Sequence, residues 1–547
     1  MKKAQRIIIS VIAFILVISM AACSADKLNE SLDFVGDAGM NNAPGYPNYG
    51  GNKVTNEYGE GSFAPSEDAD EGAVPMGKPD EGAVDKPAED SGNKDEVVDK
   101  NIYENPFIKV ENMDTSTFSA DVDTASYTFL RKMINQGYSL SELQNTAKYN
   151  VLRTEEMVNY FKYDYASPAE NEAFGVNATI SKSPWNDETY LMMLGIKATE
   201  IEEKTANNLV FLIDASGSMS SADKLPLLQE AFVFLTEQLD ENDTVSIVTY
   251  AGSERVVLEG ASGNKKQAII DAINNLKAGG STNGEAGINK AYEIAEANFK
   301  PGGNNRIILA SDGDLNVGIR DPEQLEKLVE EKRNSGIFLS VLGFGTGNFR
   351  DSNMSAIAQT GNGVYHYIDC SAEAERIFTD SLLSTIYTVA KDVKFQLTFD
   401  KEYVSEYRLI GYENRMLANE DFDDDTKDAG EVGSGHTLTV CYELKLKNRE
   451  TEEIRPDWVK LAIRYKQPDA DISKLCEYYF GDEQIAGEPD EDFVFATTVI
   501  EFSMLLRNSK YAKNEITLES LIERLDGLTL DTYKAEFKSL LNTLANK

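Results

Sequence analysis

Oxygen-bearing side chains follow directly after an apolar run near the middle of the chain. Asp214, Ser216 and Ser218 alternate with small residues, and the run from Leu209 to Ile213 before them is uninterrupted. Such a run is typical of a strand that is buried on both faces of a parallel sheet. Carboxylate and hydroxyl oxygens suit hard divalent cations, and Mg2+ usually takes only one or two protein carboxylates. The segment therefore predicts part of a divalent-cation site at the end of a strand.

Two further segments supply oxygen groups at comparable positions. Thr282 lies in a glycine-rich loop, Gly279 to Gly284, just before a helical pattern. Asp312 closes a second short apolar run that begins at Ile307. In open parallel sheets, ligands bind beyond the carboxyl ends of the strands, where the strand order reverses. If the strands ending at Asp214 and Asp312 flank that point, these side chains meet around one ion. Without a cation between them, the two carboxylates would repel each other and one pKa would rise.

These positions resemble the metal-ion-dependent adhesion site (MIDAS) of the von Willebrand factor type A domain, in which Asp-x-Ser-x-Ser, a Thr and an Asp occur in this order. Five residues match that motif: Asp214, Ser216, Ser218, Thr282 and Asp312. The resemblance implies Mg2+ as the cofactor, with Mn2+ and Ca2+ left open. It also implies that the three hydroxyls bind the ion directly, that the aspartates act partly through water, and that a partner protein offers a Glu or Asp side chain as a further ligand. The alternative is an ion that only braces the loops.

The resemblance extends beyond this site. The stretches Ser116 to Tyr127, Arg408 to Arg415 and Asp428 to His436 resemble those of the YfbK-like bacterial lipoproteins. That family combines an N-terminal domain, a von Willebrand A domain and a C-terminal domain, and the molecular function of its members is largely undefined. The resemblance therefore implies an architecture more than an activity.

The pattern of apolar residues predicts three folded regions. Strand and helix patterns alternate between about 206 and 388, which predicts an α/β fold with a doubly wound, mostly parallel sheet. Residues 393–399, 438–446 and 459–465 instead alternate apolar and polar side chains, as half-buried antiparallel strands do. The predicted organisation is a signal peptide (1–23), an acidic tether (24–100), an N-terminal α+β domain (101–205), a Rossmann-like von Willebrand A domain (206–388), and a C-terminal β-rich and helical domain (389–547).

The first hundred residues predict an extracytoplasmic, membrane-anchored protein. Basic residues, an apolar core and small residues before Cys23 resemble a bacterial lipoprotein signal, with Cys23 as the palmitate-type lipidation site. A plain cleaved signal peptide is the alternative. Residues 24–100 contain 18 acidic and 6 basic residues, too polar a composition to bury a core. The whole chain of 547 residues carries a formal charge of -39, which speaks against nucleic acid as a partner and against contact with anionic membranes except through the lipid anchor.

The motifs of common enzymes do not support catalysis. Neither the Asp214 loop nor the Gly279 loop has the Gly-x-Ser-x-Gly of a serine hydrolase, and His366 and His436 are the only histidines. The favoured function is a metal-dependent protein-binding or adhesion module. A structural envelope lipoprotein with an idle metal site is the alternative, and an enzyme is least favoured. Three further cysteines permit at most one disulfide, and small buried side chains are the preferred interpretation: Cys370, Cys441 and Cys476.

Overall fold

A computed structural model describes residues 104–147, 152–201, 204–280, 284–313, 322–333, 335–345, 351–447 and 454–547. The predicted signal peptide, Cys23 and the predicted tether lie outside these ranges, and so does Thr282. Within the ranges, no helix has the length and apolar character that crossing a membrane requires.

The described residues form strands and helices in the following order. The strands are β1 Ile108–Lys109, β2 Thr115–Ser119, β3 Phe174–Lys182, β4 Tyr190–Ala198, β5 Asn207–Asp214, β6 Thr244–Ala251, β7 Ser253–Ser262, β8 Asn304–Ser311, β9 Phe338–Phe344, β10 Tyr365–Ile368, β11 Thr388–Phe399, β12 Val404–Ile410, β13 Gly430–Gly433, β14 Thr437–Leu446, β15 Val459–Lys466 and β16 Lys474–Phe480. The α-helices are α1 Ala125–Asn135, α2 Leu140–Ala147, α3 Thr154–Asn159, α4 Leu225–Gln238, α5 Lys266–Asn274, α6 Gly284–Ala297, α7 Pro322–Arg333, α8 Asp351–Thr360, α9 Ser371–Glu375, α10 Leu382–Ile386, α11 Glu491–Arg507, α12 Leu518–Asp526 and α13 Thr532–Ala545.

The central sheet has six strands in the order β10-β9-β8-β5-β6-β7. The strands from β10 to β6 run parallel, and β7 pairs antiparallel with β6 at the edge. From β5, the chain first builds β6 on one side and later β8 on the other, so the strand order reverses between β5 and β8. The structure confirms the predicted α/β fold with a doubly wound, mostly parallel sheet.

Helices cover both faces of this sheet because its central strand is apolar on both sides. Phe211 of β5 packs with α4 in one hydrophobic core, and its ring stacks on Phe232 at 4.2 Å between centroids. The neighbouring Val210 and Leu212 point to the opposite core, which contains Ile288 of α6. The unbroken apolar run seen in the sequence is therefore a strand buried on both faces.

The two regions that flank the central domain share their sheets, which differs from the prediction of separate N- and C-terminal domains. One five-stranded sheet has the order β1-β12-β14-β4-β3, and in another β2 pairs with β11 beside β13, β15 and β16. Each of these two sheets therefore contains strands from both flanking regions. Local alternation of apolar residues predicts a strand but does not identify its partner, and this is why the pairing was not foreseen.

The flanking regions also share a helical core. Phe161, which follows α3, lies 4.8 Å from Phe495 of α11 and 5.7 Å from Phe537 of α13, measured between ring centroids. Tyr127 of α1 makes an edge contact with Phe161 at 4.9 Å. The N-terminal and C-terminal regions therefore form one folded body around the inserted central domain.

Candidate metal centre

The structure brings the two predicted aspartates together at the carboxyl ends of two neighbouring strands, β5 and β8, of the central sheet. In the pairing of β5 with β8, Ile213 lies opposite Ala310, so Asp214 ends one strand beside Ser311 and Asp312 follows immediately. Both aspartates are buried. The Ser311 hydroxyl donates a hydrogen bond to Asp214 Oδ2 at 3.3 Å and connects the two strand ends.

The Asp-x-Ser-x-Ser segment folds back on its own aspartate. The backbone N–H of Ser216 donates to Asp214 Oδ1 at 2.8 Å, and the hydroxyls of Ser216 and Ser218 are hydrogen-bonded at 2.9 Å. A 3-10 turn over Gly217–Ser220 then leads the chain away. Ser216 is buried, whereas Ser218 is exposed. The oxygen cluster is therefore fixed from below by the sheet and open to solvent on the side of Ser218.

The glycine-rich loop reaches the same place. Gly279 N–H donates to Ala215 carbonyl oxygen at 2.8 Å, and Gly217 N–H donates to Gly280 carbonyl oxygen at 3.2 Å. Gly280 has φ +88°, in the left-handed region that glycine adopts without strain. Thr282 itself lies outside the described residues, so its role as a ligand stays a prediction.

Burial, more than repulsion between the carboxylates, governs the charge state of Asp214. Its pKa is raised to about 6, first because burial disfavours the ionised form, while hydrogen bonds from Ser216 act in the opposite direction and the Asp312 carboxylate adds a smaller increase. The predicted repulsion is present but is not the leading cause. A cation near Asp214 would stabilise its ionised form.

An unforeseen residue, Lys224, contacts two of the predicted ligands. Its Nζ lies 2.7 Å from Asp312 Oδ2 and donates to the carbonyl oxygen of Ser218 at 3.0 Å. Lys224 immediately precedes α4, and its side chain is 13% exposed. The only sequence signal is a single lysine six positions after Ser218, which carries no indication of its contact with Asp312 across 88 positions.

The residues at the carboxyl ends of β5 and β8 fit a hard divalent cation by their chemistry. Two buried carboxylates and two hydrogen-bonded hydroxyls present oxygen atoms alone, the ligand type that Mg2+, Mn2+ and Ca2+ share. The ammonium of Lys224 lies beside Asp312 and compensates the charge of that carboxylate, so a metal ion would have to displace it. The flexible side chain of a lysine leaves such a position without rearranging the backbone.

The structure also places the two histidines and the three further cysteines noted in the sequence. His366 lies buried on β10, where its Nε2 is 3.3 Å from Thr385 Oγ1, and burial lowers its pKa to about 3. His436 is likewise buried, and burial lowers its pKa to about 4. No disulfide links the three cysteines that lie in the described part of the chain: Cys370, Cys441 and Cys476.

Asp121 and Asp123, which precede α1, are engaged by protein groups. Asp121 Oδ2 accepts from Arg415 Nε at 2.8 Å. Asp123 accepts from the Ser355 hydroxyl at 2.9 Å and from the Tyr365 backbone N–H at 3.0 Å. Asp123 therefore connects the flanking region to the central domain, whereas Asp121 pairs within the flanking region. Neither carboxylate caps α1, which has no side-chain cap hydrogen bond.

Comparison with known proteins agrees with this architecture. Residues 208–380 match the von Willebrand factor type A domain family, residues 94–193 match a family described as von Willebrand factor, and residues 384–546 match the family "Uncharacterized protein YfbK, C-terminal". The chain is 39% identical over 466 residues to the uncharacterized protein YfbK of Escherichia coli (strain K12), covering 80% of this chain and 79% of that protein.

More distant similarities cover smaller shares of this chain. Over 274 residues the chain is 25% identical to inter-alpha-trypsin inhibitor heavy chain H3 of Homo sapiens, covering 46% of this chain and 30% of that protein. Among solved structures, a von Willebrand factor type A protein from Catenulispora acidiphila aligns with a TM-score of 0.39 and 16% identity, covering 62% of this chain and 80% of that one.

Proposed function

This chain belongs to the YfbK family of von Willebrand A domain proteins, and on that premise we propose that it is a divalent-metal-dependent protein-binding module of the cell envelope. Its adhesion or scaffold site comprises Asp214, Ser216, Ser218, Thr282 and Asp312. The proposed location is the extracytoplasmic side of the membrane, reached through a lipid on Cys23. The proposed ion is Mg2+, and Mn2+ or Ca2+ would suit the same oxygen ligands.

The observation that carries the proposal is that four predicted ligands lie together at the carboxyl ends of β5 and β8: Asp214, Ser216, Ser218 and Asp312. Their oxygens lie beyond the carboxyl ends of β5 and β8, where the strand order reverses. Because Ser218 is exposed, a side chain from another protein has access to the cluster. The match to the von Willebrand factor type A domain family supports a protein partner over a small molecule.

Each side chain has a distinct task in the proposed site. The backbone bond from Ser216 to Asp214 fixes the loop, so the paired hydroxyls of Ser216 and Ser218 face the ligand position together. Lys224 balances the charge of Asp312 and must withdraw for a metal to take its place. A bound divalent cation would supply Lewis acidity toward a Glu or Asp carboxylate of the partner.

The test is capture of a cell-surface partner with the purified protein, once with Mg2+ and once with excess chelator. Ser218→Ala removes an exposed hydroxyl of the site and should lose capture at unchanged melting temperature. Ser220→Ala removes another exposed hydroxyl of the same turn and should capture normally. Thr282→Ala should behave like Ser218→Ala. Asp312→Ala should also lose capture, but it breaks the ion pair with Lys224 and should lower the melting temperature.

The alternative function is a structural envelope lipoprotein whose metal site recruits nothing. Capture that persists in chelator and in the Ser218→Ala variant would favour it over the binding module. We further propose that the site binds and does not catalyse. His366 lies on β10, three strands away from β5 in the sheet order, and its depressed pKa leaves it uncharged near neutrality.

A further inference from the structure

A second group of carboxylates lies between the central domain and the flanking sheets. Asp392, Asp428 and Glu431 each offer one carboxylate oxygen, and these three oxygens lie within 4.8 Å of one another. Asp428 opens the segment Asp428 to His436, and Asp392 has φ +53° at an irregularity of β11. The proposed adhesion site uses none of these residues.

Protein cations compensate only two of the three charges. Arg333, at the end of α7 in the central domain, donates to Asp428 Oδ1 at 2.7 Å. Lys466 of β15 lies 2.8 Å from Asp392 Oδ2. Glu431 makes no ion pair within the described residues. If all three carboxyl groups were ionised, these two ion pairs would leave one negative charge without an ion-pair partner among the described residues.

Glu431 is the side chain that points to a ligand. It is 96% buried, since its exposed fraction is 4%, and its Oε1 has no hydrogen-bond partner in the described part of the chain. An unpaired buried carboxylate is costly unless a proton or a cation compensates it. Burial, and then the charge of Asp428, raises the pKa of Glu431 well above its usual range. Burial likewise raises the pKa of Asp428 to about 6.

Buried Arg306 of β8 does not provide that ion-pair partner. Its guanidinium donates to Ser340 Oγ at 2.6 Å and to Thr388 Oγ1 at 3.0 Å, and it forms no ion pair with Glu431 among the described residues. Burial lowers the pKa of Arg306 to about 10, while the Glu431 carboxylate acts in the opposite direction. Glu431 therefore stabilises the charged form of Arg306 without forming an ion pair with it, and Glu431 Oε1 still has no hydrogen-bond partner among the described residues.

We propose that Asp392, Asp428 and Glu431 form a Ca2+ site at the junction between the central domain and the flanking sheets. Oxygen ligands of Ca2+ lie at about 2.3–2.6 Å, so two ligands of one ion are at most about 4.6–5.2 Å apart. Three oxygens within 4.8 Å of one another meet that condition without rearrangement. Mg2+ ligands at about 2.0–2.1 Å lie at most about 4.2 Å apart and require a tighter, octahedral arrangement.

Two of the three carboxylates, those of Asp392 and Asp428, border a cavity. Asp392, Asp428, Arg333 and Lys466 line a cavity of about 600 Å3 that also borders Asp469. Water molecules in such a cavity would complete the coordination of Ca2+, which takes six to eight oxygens. Because Asp428 also binds Arg333 of the central domain, an ion on Asp428 would stabilise the junction between the two bodies.

Equilibrium dialysis of the full chain with 45Ca2+ at neutral pH tests the site. The parent protein carries Asp312→Asn, which disables the adhesion site, so that the two sites are measured separately. Glu431→Gln in this parent should lose one bound Ca2+ per chain, or bind it at least about tenfold more weakly, since even outer partners of metal ligands contribute about 10–100-fold. Asp469→Asn, an exposed carboxylate of the same cavity, is the matched control and should retain the ion.

Melting temperature distinguishes a ligand from a purely structural residue. Glu431→Gln should melt at the same or a higher temperature than its parent in chelator, because it replaces an unpaired buried carboxyl with a neutral isostere. Ca2+ should raise the melting temperature of the parent and of Asp469→Asn but not of Glu431→Gln. A parent that binds no Ca2+, or a Glu431→Gln variant that binds as much as its parent, would overturn the proposal.

Discussion

Replacing Lys224 by Met should make the metal-free protein less stable and the metal-bound protein easier to form. The Lys224 ammonium lies 2.7 Å from Asp312 Oδ2, and the Asp312 side chain is fully buried. Methionine keeps much of the length of the lysine side chain but removes its charge. Asp312 then loses its ammonium partner, and a divalent cation no longer has to displace it.

The magnitude follows from the burial of the pair. Removing one partner of a buried ion pair costs about 3–5 kcal/mol. Because the Lys224 side chain is 13% exposed, solvent screens the pair and we expect a loss near the lower limit, about 2–3 kcal/mol. The same energy no longer opposes metal binding, and 1.4 kcal/mol corresponds to about tenfold in affinity. Part of it is offset because a displaced lysine regains hydration, so Mg2+ should bind about 10–100-fold more tightly to Lys224→Met.

Urea unfolding in chelator and in saturating Mg2+, together with calorimetric titration of Mg2+, measures both effects. The stability difference between wild type and Lys224→Met should appear in chelator and shrink in Mg2+. Lys290→Met is the control, because Lys290 pairs with Glu293 on the surface and should change neither quantity. The competition between Lys224 and Mg2+ for Asp312 would be refuted if Lys224→Met bound Mg2+ no more tightly than wild type and lost the same stability in both buffers.

Further predictions concern anchoring, the first hundred residues, the buried charge and the core. Cys23→Ser should move the protein from the membrane fraction to the soluble fraction, and unchanged fractionation would contradict lipidation. Limited proteolysis should remove residues 24–100 and leave a fragment that begins near 100; equal protection throughout would contradict the tether. The pKa of Glu155 is raised to about 8 by burial, so its contribution to stability is lost as pH rises from 4.5 to 8. Glu155→Gln should flatten the pH dependence of urea unfolding over that range, and an unchanged profile would contradict this assignment. Phe211→Ala should reduce the unfolding free energy by about 3–5 kcal/mol, whereas a loss below 1 kcal/mol would contradict the assigned packing.

The strand that carries the proposed metal site was predictable because its signal is local. An apolar run that ends in Asp-x-Ser-x-Ser predicts a buried strand and a polar loop, and β5 has both. The proximity of Asp312 followed from the general position of ligands in parallel sheets. Lys224 was not predictable, because its contact with Asp312 depends on the turn after Ser218 and on the pairing of β5 with β8.

The pairing of the strands in the flanking regions could not be predicted from the sequence for a related reason. Alternation in residues 393–399 predicts a half-buried strand, and β11 confirms it. Nothing in that alternation indicates that Phe395 pairs with Phe118, or that Cys441 of β14 pairs with Met193 of β4. Such pairs join residues more than two hundred positions apart, and their register depends on the whole fold.

The shared sheets place the central domain between two anchored ends. Tyr387 OH donates to the carbonyl oxygen of Thr205 at 2.9 Å, so the chain enters and leaves the domain at one point beside the start of β5. The proposed metal site lies at the other end of that strand, about 25 Å away at about 3.3 Å per residue. There, Lys132 of α1 pairs with Asp223 at 2.9 Å, next to Lys224. The flanking region therefore contacts the loop after the Asp-x-Ser-x-Ser segment as well as the point where the chain enters and leaves the domain.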